Sequence, residues 1–173
     1  MILLIMWVAK VRKDRKNMQK IIIRSRCIIV DDQGRILMQR EKNGTYSIPG
    51  GRLEFDETLP FCASRELKEE AGIEAIPIRL LYIVETINTR KGYPRHELMF
   101  YFLCDYKGAP RKEFKEIKFE WKKPEDVANG FWPPEIIRKL MEDSPEFNNT
   151  YFIVLVDKEL KFINTIKRII HEH

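Results

Sequence analysis

Three glutamates, Glu66, Glu69 and Glu70, fall on one face of a helix predicted over residues 59–71, close to its C-terminal end. Residues three and four apart face each other on a helix, so the Glu66/Glu69 and Glu66/Glu70 pairs each oppose its formation by roughly 0.2–0.5 kcal/mol. The helix dipole adds to the cost, because the C-terminal end is already partly negative and favours Lys or Arg. A divalent cation held by the carboxylates turns this liability into a binding site. The competing explanation is a solvated acidic face, which for an isolated run of charges is the better one.

The flanking residues weigh against it. Gly72 stands where a helix ends in a left-handed residue, and Ile73 can fold back onto Leu67 as in a Schellman cap. Thr58 suits an N-cap, and Pro60 falls in the first turn, where a missing N–H matters little. On the opposite face Leu59, Ala63, Leu67 and Ala71 repeat at helical spacing and are expected to pack on a sheet, leaving the acids to face a groove.

The spacing extends upstream: Gly51, five residues, Glu57, seven residues, then Arg65-Glu66-Leu67-x-Glu69-Glu70-x-Gly72-Ile73. This pattern resembles the signature box of the Nudix hydrolase family at all nine of its defined positions. The resemblance covers roughly residues 20–142 and implies an α/β fold, a mixed β-sheet sandwiched between α-helices. It also implies a hydrolase that splits a diphosphate linkage in a nucleoside diphosphate derivative or a nucleoside triphosphate, by water attack at phosphorus. Mg²⁺ is the implied cofactor, with Mn²⁺ as a substitute. The implied ligands are Glu66, Glu69 and Glu70, with the backbone carbonyl of Gly51 as a further candidate. Arg65 precedes Glu69 by four residues and is placed to pair with it. Glu57 is expected to brace the loop through Arg65 or backbone amides rather than to bind the ion.

A general base must lie within hydrogen-bond reach of the attacking water. Glu69 is the first candidate by resemblance; Glu97, Glu113 and Glu116 are alternatives outside the box. Arg40 and Arg52 are candidates for gripping substrate phosphates, with plain surface charge an equal explanation for both. Tyr46 stacks on a base or caps the core. His96 adjoins Glu97, but neighbouring strand residues point to opposite faces, which argues against a catalytic pair. The box fixes the chemistry and leaves the leaving group open. An RNA 5′-end pyrophosphohydrolase is one alternative and a non-catalytic nucleotide-sensing module another; DNA is not an expected partner, and a homodimer is compatible with the sequence.

The 173 residues, 44% hydrophobic and 33% charged, suit one soluble domain. The net charge of +5 is concentrated in an arm, residues 1–19, ahead of a single domain over 20–173. Residues 1–20 hold six Lys/Arg against Asp14 alone, whereas residues 21–173 carry 25 basic and 25 acidic side chains. The arm opens MILLIMWVA, too short to cross a bilayer, and its charges follow the apolar run rather than precede it as in a secretory signal. An extra leader, with Met18 as an alternative start, is the economical reading; an anchor to a membrane surface or nucleic acid is the other. Cys27, Cys62 and Cys104 are too scattered for a disulfide framework or a zinc clamp and read as buried thiols of a cytoplasmic protein.

Strands are expected over 21–30 and 35–39, joined by a hairpin turn at 31–34, and over 76–87, 97–104, 117–121 and 151–156. Short helices are expected near 124–128 and 134–141. Residues 144–173 form a possible C-terminal extension, with an amphipathic helix over 158–173 through Leu160, Phe162, Ile163, Ile166 and Ile170.

Overall fold

Two sheets and three helices account for residues 21–89, 94–143 and 149–166, which are the residues that the computed structural model describes. In chain order they are β1 (Ile21–Ile28), β2 (Ile36–Arg40), β3 (Tyr46–Ser47), β4 (Gly50–Arg52) and α1 (Leu59–Glu66), which runs on as a wider turn over Leu67–Ala71. Next come β5 (Glu74–Asn88), β6 (Arg95–Lys107), β7 (Glu113–Phe114), β8 (Ile117–Lys122), α2 (Pro124–Val127), α3 (Pro134–Asp143), β9 (Thr150–Val156) and β10 (Glu159–Ile166). The larger sheet has the order β10-β9-β5-β6-β1-β4, and the smaller one β3-β2-β8-β7. β1 runs parallel to β6 and antiparallel to β4, and β5 parallel to β9, so the larger sheet is mixed.

Side-chain alternation along β1 divides the core. Cys27 and Ile29 pack with Ala63, Leu67 and Ala71 of the box helix, while Ile28 packs with Ile136, Ile137 and Leu140 of α3 on the other side. The mixed sheet is thus sandwiched between helices, as expected. The apolar stripe of α1 is the part that docks: Ala63, Leu67 and Ala71 are all buried, and a side chain such as Leu67 contributes about 1.5–3 kcal/mol by its burial. Two hydroxyls fix the helix against the sheet, Ser25 donating to the Leu59 carbonyl at 2.7 Å and Ser64 to the Ala75 carbonyl at 2.8 Å. All three cysteines are buried free thiols.

Two expectations change. The turn at 31–34 forms, with Asp31 accepting from the backbone of Gln33 and Arg35, but β1 and β2 are not a simple hairpin. Beyond the Val30–Ile36 bridge they part into different sheets, since Ile36, Leu37 and Met38 are buried on both faces of β2 and need packing on each side.

The helix expected over 158–173 is replaced by β10, and residues 167–173 lie outside the described set, as does the arm. Asp157 and Lys158 both take positive φ, 50° and 73°, the two-residue reversal that matches the twist of a hairpin. The β-branched Ile163, Thr165 and Ile166 then pair along the edge of β9, where the strand's backbone groups would otherwise lack partners. Among the described residues no helix is long and apolar enough to cross a membrane.

Candidate functional site

The box helix begins as its sequence dictates: Thr58 is the N-cap and accepts from the Phe61 N–H at 3.4 Å. Its end departs from expectation. Over Leu67–Ala71 the chain winds as a π-turn, so the Gly72 N–H reaches back to the Leu67 carbonyl, and the Ile73 N–H to the same carbonyl at 3.3 Å. The Ile73 bond spans one residue more, and the Gly72 bond two more, than its counterpart in a Schellman cap on an α-helix. Gly72 takes φ 75°, the left-handed conformation anticipated. Such wide turns recur at functional sites, and this one carries Glu69 and Glu70.

Arg65 is the electrostatic centre of the box. Its Nε and Nη2 donate to the two Glu57 oxygens at 3.0 and 2.8 Å, and Nη2 also reaches the Arg52 carbonyl at 3.3 Å. Nη1 lies 3.1 Å from Glu66 and 3.3 Å from Glu69. Glu57 also accepts the Glu54 N–H at 2.7 Å, so it braces the loop that leads into the helix. The Arg65 hydrogen bonds hold the Glu57 carboxyl at about 2, and the carboxylates around Arg65 raise its own pKa in turn. Part of the repulsion among the glutamates is therefore met by one guanidinium, before any ion is considered.

The Gly50-Gly51 pair forms the floor. β4 is the edge strand, with Ser25 opposite Gly51 and Arg26 opposite Gly50. A Cβ on Gly51 would overlap the Glu66 carboxylate, and one on Gly50, which has φ 139°, would overlap the Ser25 carbonyl oxygen. Glu66 thus rests directly on bare backbone. Burial, followed by the nearby Glu66 charge, raises the pKa of Glu70.

Glu66, Glu70 and Gly51 line one cavity of about 900 Å³, whereas Glu69 is absent from its lining and 58% exposed beside Arg65. Among the described residues no three His, Cys, Asp or Glu side chains converge tightly enough to hold a metal ion. The arrangement nevertheless suits a hard divalent cation. Its donors are all oxygens, two carboxylates share one compartment, and a Cβ at residue 51 would fill the cradle.

The cavity lining also holds residues that local spacing does not bring together. Arg24 and Arg26 on β1 and Arg52 on β4 line the same cavity. Glu97 is buried and bound on two sides, by Arg24 at 2.8 Å and Arg95 at 2.9 Å. Arg26 donates to the Ile48 carbonyl at 2.7 Å behind the glycine floor, and burial lowers its pKa. A signal for the two arginines was present: they stand two apart in an otherwise apolar strand, hence on one face. Farther along, the cavity reaches Trp132, Asp157 and Lys158. Asp157 binds the Thr89 N–H at 2.8 Å and its hydroxyl at 2.6 Å, and the Lys158 ammonium sits 5.6 Å from the Trp132 ring centre.

Other expected residues lie elsewhere. Arg40 faces a separate charged groove with Glu113 and Glu116, is 3.9 Å from Glu120 and stacks over Tyr46. Glu116 is paired with Lys42 at 2.5 Å. Tyr46 donates to Glu120 at 3.2 Å and packs against the α3-side core. His96 contacts Glu85 at 2.7 Å, on the face opposite Glu97.

Comparison with known proteins agrees with this geometry. A family model described as NUDIX domain matches residues 22–142. An uncharacterized Nudix hydrolase, YvcI of Bacillus subtilis, is 30% identical over 105 residues, covering 60% of this chain and 66% of its own. The NAD-capped RNA hydrolase NudC of Vibrio atlanticus is 38% identical over 97 residues, 53% of this chain and 34% of that protein. The chain thus spans just under two thirds of the first relative and about a third of the second. Among solved structures, the mutator MutT protein of Bacillus halodurans superposes with a TM-score of 0.68 at 23% identity, over 84% of this chain and 97% of that one, a likeness of fold.

Proposed function

The chain belongs to the Nudix hydrolase family, and from that membership and the geometry of the box we propose that it is a divalent-metal-dependent pyrophosphohydrolase. It splits a diphosphate linkage in a nucleoside diphosphate derivative or nucleoside triphosphate by water attack at phosphorus. One observation carries this reading: Glu66 rests on the bare backbone of Gly51, beside Glu70, in a cavity that Arg24, Arg26 and Arg52 also line. Carboxylates and guanidiniums lining one cavity suit a cation and a diphosphate bound together there.

Glu66, Glu69, Glu70 and the Gly51 carbonyl would hold Mg²⁺, for which Mn²⁺ substitutes. Bound there, the ion supplies charge neutralisation and favours ionisation of the attacking water. Arg52 and Arg24 grip phosphate oxygens. Arg65 orients Glu66 and Glu69, and Glu57 fixes Arg65. Glu69, the most exposed of the three acids and 3.3 Å from a single nitrogen of Arg65, is the general base. Glu97 is a weaker candidate, since two arginines already hold it.

A cavity of about 900 Å³ lies near the upper end of the roughly 300–1,000 Å³ usual for small-molecule sites. It has room for a substrate with a group on each side of the diphosphate, the farther one extending toward Trp132 and Lys158. The testing experiment is a panel of nucleoside diphosphate derivatives and triphosphates assayed with Mg²⁺, Mn²⁺ and excess chelator. Nucleoside monophosphate and a phosphorylated remainder are expected, and products formed equally well in chelator would refute the reading. The row of arginines also favours a second reading, an RNA 5′-end pyrophosphohydrolase. In that case activity on RNA falls steeply with salt while activity on mononucleotides does not. A nucleotide-sensing module would bind the same compounds without turnover.

A further inference from the structure

The box helix ends against a residue that is not part of the box. Arg111, in the loop between β6 and β7, donates its backbone N–H to the Ala71 carbonyl at 2.8 Å and a guanidinium N–H to the Glu69 carbonyl at 3.0 Å. Its side chain crosses Gly72 so closely that a Cβ there would come within 3.1 Å of Nε. The last carbonyls of a helix lack intrahelical donors, and a cation at that end also opposes the partial negative charge of the dipole. Here the need is larger than usual, because the final turn is π-wound and carries Glu69 and Glu70.

We propose that Arg111 is a positioning residue for the metal site: it holds the wide final turn and so sets where Glu69 and Glu70 stand relative to Gly51. The proposal rests on the reading of the box as a divalent-cation site. Arg65 and Arg111 divide the work. Arg65 binds carboxylates and fixes their side chains; Arg111 binds backbone, adding positive charge without occupying a carboxylate oxygen. Gly72 serves both purposes, accepting φ 75° and leaving a path for the guanidinium.

The test compares the full chain with Arg111→Met and Arg111→Lys, neither of which removes the backbone bond to Ala71. Two quantities are read: Mn²⁺ affinity by electron paramagnetic resonance, and amide hydrogen exchange at Gly72 and Ile73. In Arg111→Met the Mn²⁺ dissociation constant is expected to rise about 3- to 10-fold, less than the roughly 10- to 100-fold usual for outer-shell partners because Arg111 is exposed. Exchange at the two amides should quicken, while Arg111→Lys restores most of both effects. Unchanged Mn²⁺ affinity in Arg111→Met overturns the proposal, even if the melting temperature falls. An unsubstituted protein that takes up no Mn²⁺ overturns the cation reading and this proposal together, whereas equal uptake by all three proteins overturns the proposal alone.

Discussion

The box wall of the cavity, Arg52 included, is built from one continuous stretch, whereas the assembled wall gathers residues from β1, β6, the loop before α3 and the turn after β9. On the first wall charges are balanced within a few residues: Arg65 serves Glu57, Glu66 and Glu69. On the second the balance is long-range, as in Arg24 and Glu97, which are 73 residues apart. A contiguous wall takes most of its geometry from local spacing. An assembled wall changes with every loop that contributes to it. On the proposed function, the box wall sets the reaction and the assembled wall sets which substrate reaches it.

The sharpest test of that division is to damage the box wall alone. Glu69→Gln removes the proposed general base and is expected to lower kcat about 10²- to 10⁴-fold with an unchanged melting temperature, because the side chain is exposed. Gly51→Ala should lower kcat at least about as much, since its Cβ displaces the Glu66 carboxylate. Single-turnover kinetics and circular dichroism check both. A Glu69→Gln variant that keeps its turnover moves the base off the box wall, to Glu97 in the same cavity or to Glu113 or Glu116 beside the second groove, and breaks the comparison.

Damage to the assembled wall should act on substrate choice. Arg24→Met takes one partner from the buried Glu97 and leaves Arg95 as the other. It is expected to raise KM about 10-fold, with a smaller change in kcat, and to cost about 1–2 kcal/mol of stability. Lys158→Met and Trp132→Leu should shift KM by about 3- to 5-fold, the scale of an exposed cation–π contact. That shift should appear only for substrates with a large group beyond the diphosphate. Equal effects on small and large substrates would show that the turn after β9 has no part in selection.

How legible each wall was in the sequence follows from the same difference. Gly51, Glu57, Arg65, Glu66, Glu69 and Glu70 lie within about three helical turns and the loop before them, so spacing brings Glu57, Glu66 and Glu69 to Arg65, while Glu69 stays outside the cavity that Gly51, Glu66 and Glu70 line. Even there the π-turn over Leu67–Ala71 was missed, because its cause is the cap bonds of Gly72 and Ile73 to one carbonyl and the grip of Arg111, which arrives from another loop. The fold was readable where apolar periodicity was strong, in β1, β5, β6 and the stripe of α1. It was misread at the C-terminus, where mixed spacing suited a helix and the left-handed Asp157-Lys158 reversal decided for a strand. Arg40 and Arg52 were equal candidates from sequence. Only strand pairing separates them, placing Arg52 opposite Arg24 in the main cavity and Arg40 opposite Lys118 beside the second groove.

The smallest effect tests whether the box wall's balance is as local as the contacts imply. Arg65 holds Glu57 at about 2 in the folded chain, against an ordinary value of 4.5. A carboxylate whose pKa is depressed on folding contributes stability that is fully present above its unfolded value, and this contribution fades as pH falls from about 4.5 toward about 2. Glu57→Gln is therefore expected to lower the melting temperature at pH 7 by a few degrees and to flatten the fall in stability between pH 4.5 and pH 2. Thermal denaturation across that range, for both proteins, measures the difference. Parallel curves would mean that Arg65 finds an equivalent partner in Glu66 or Glu69 once Glu57 is neutral, which would make the three carboxylates interchangeable around one guanidinium rather than fixed in separate roles.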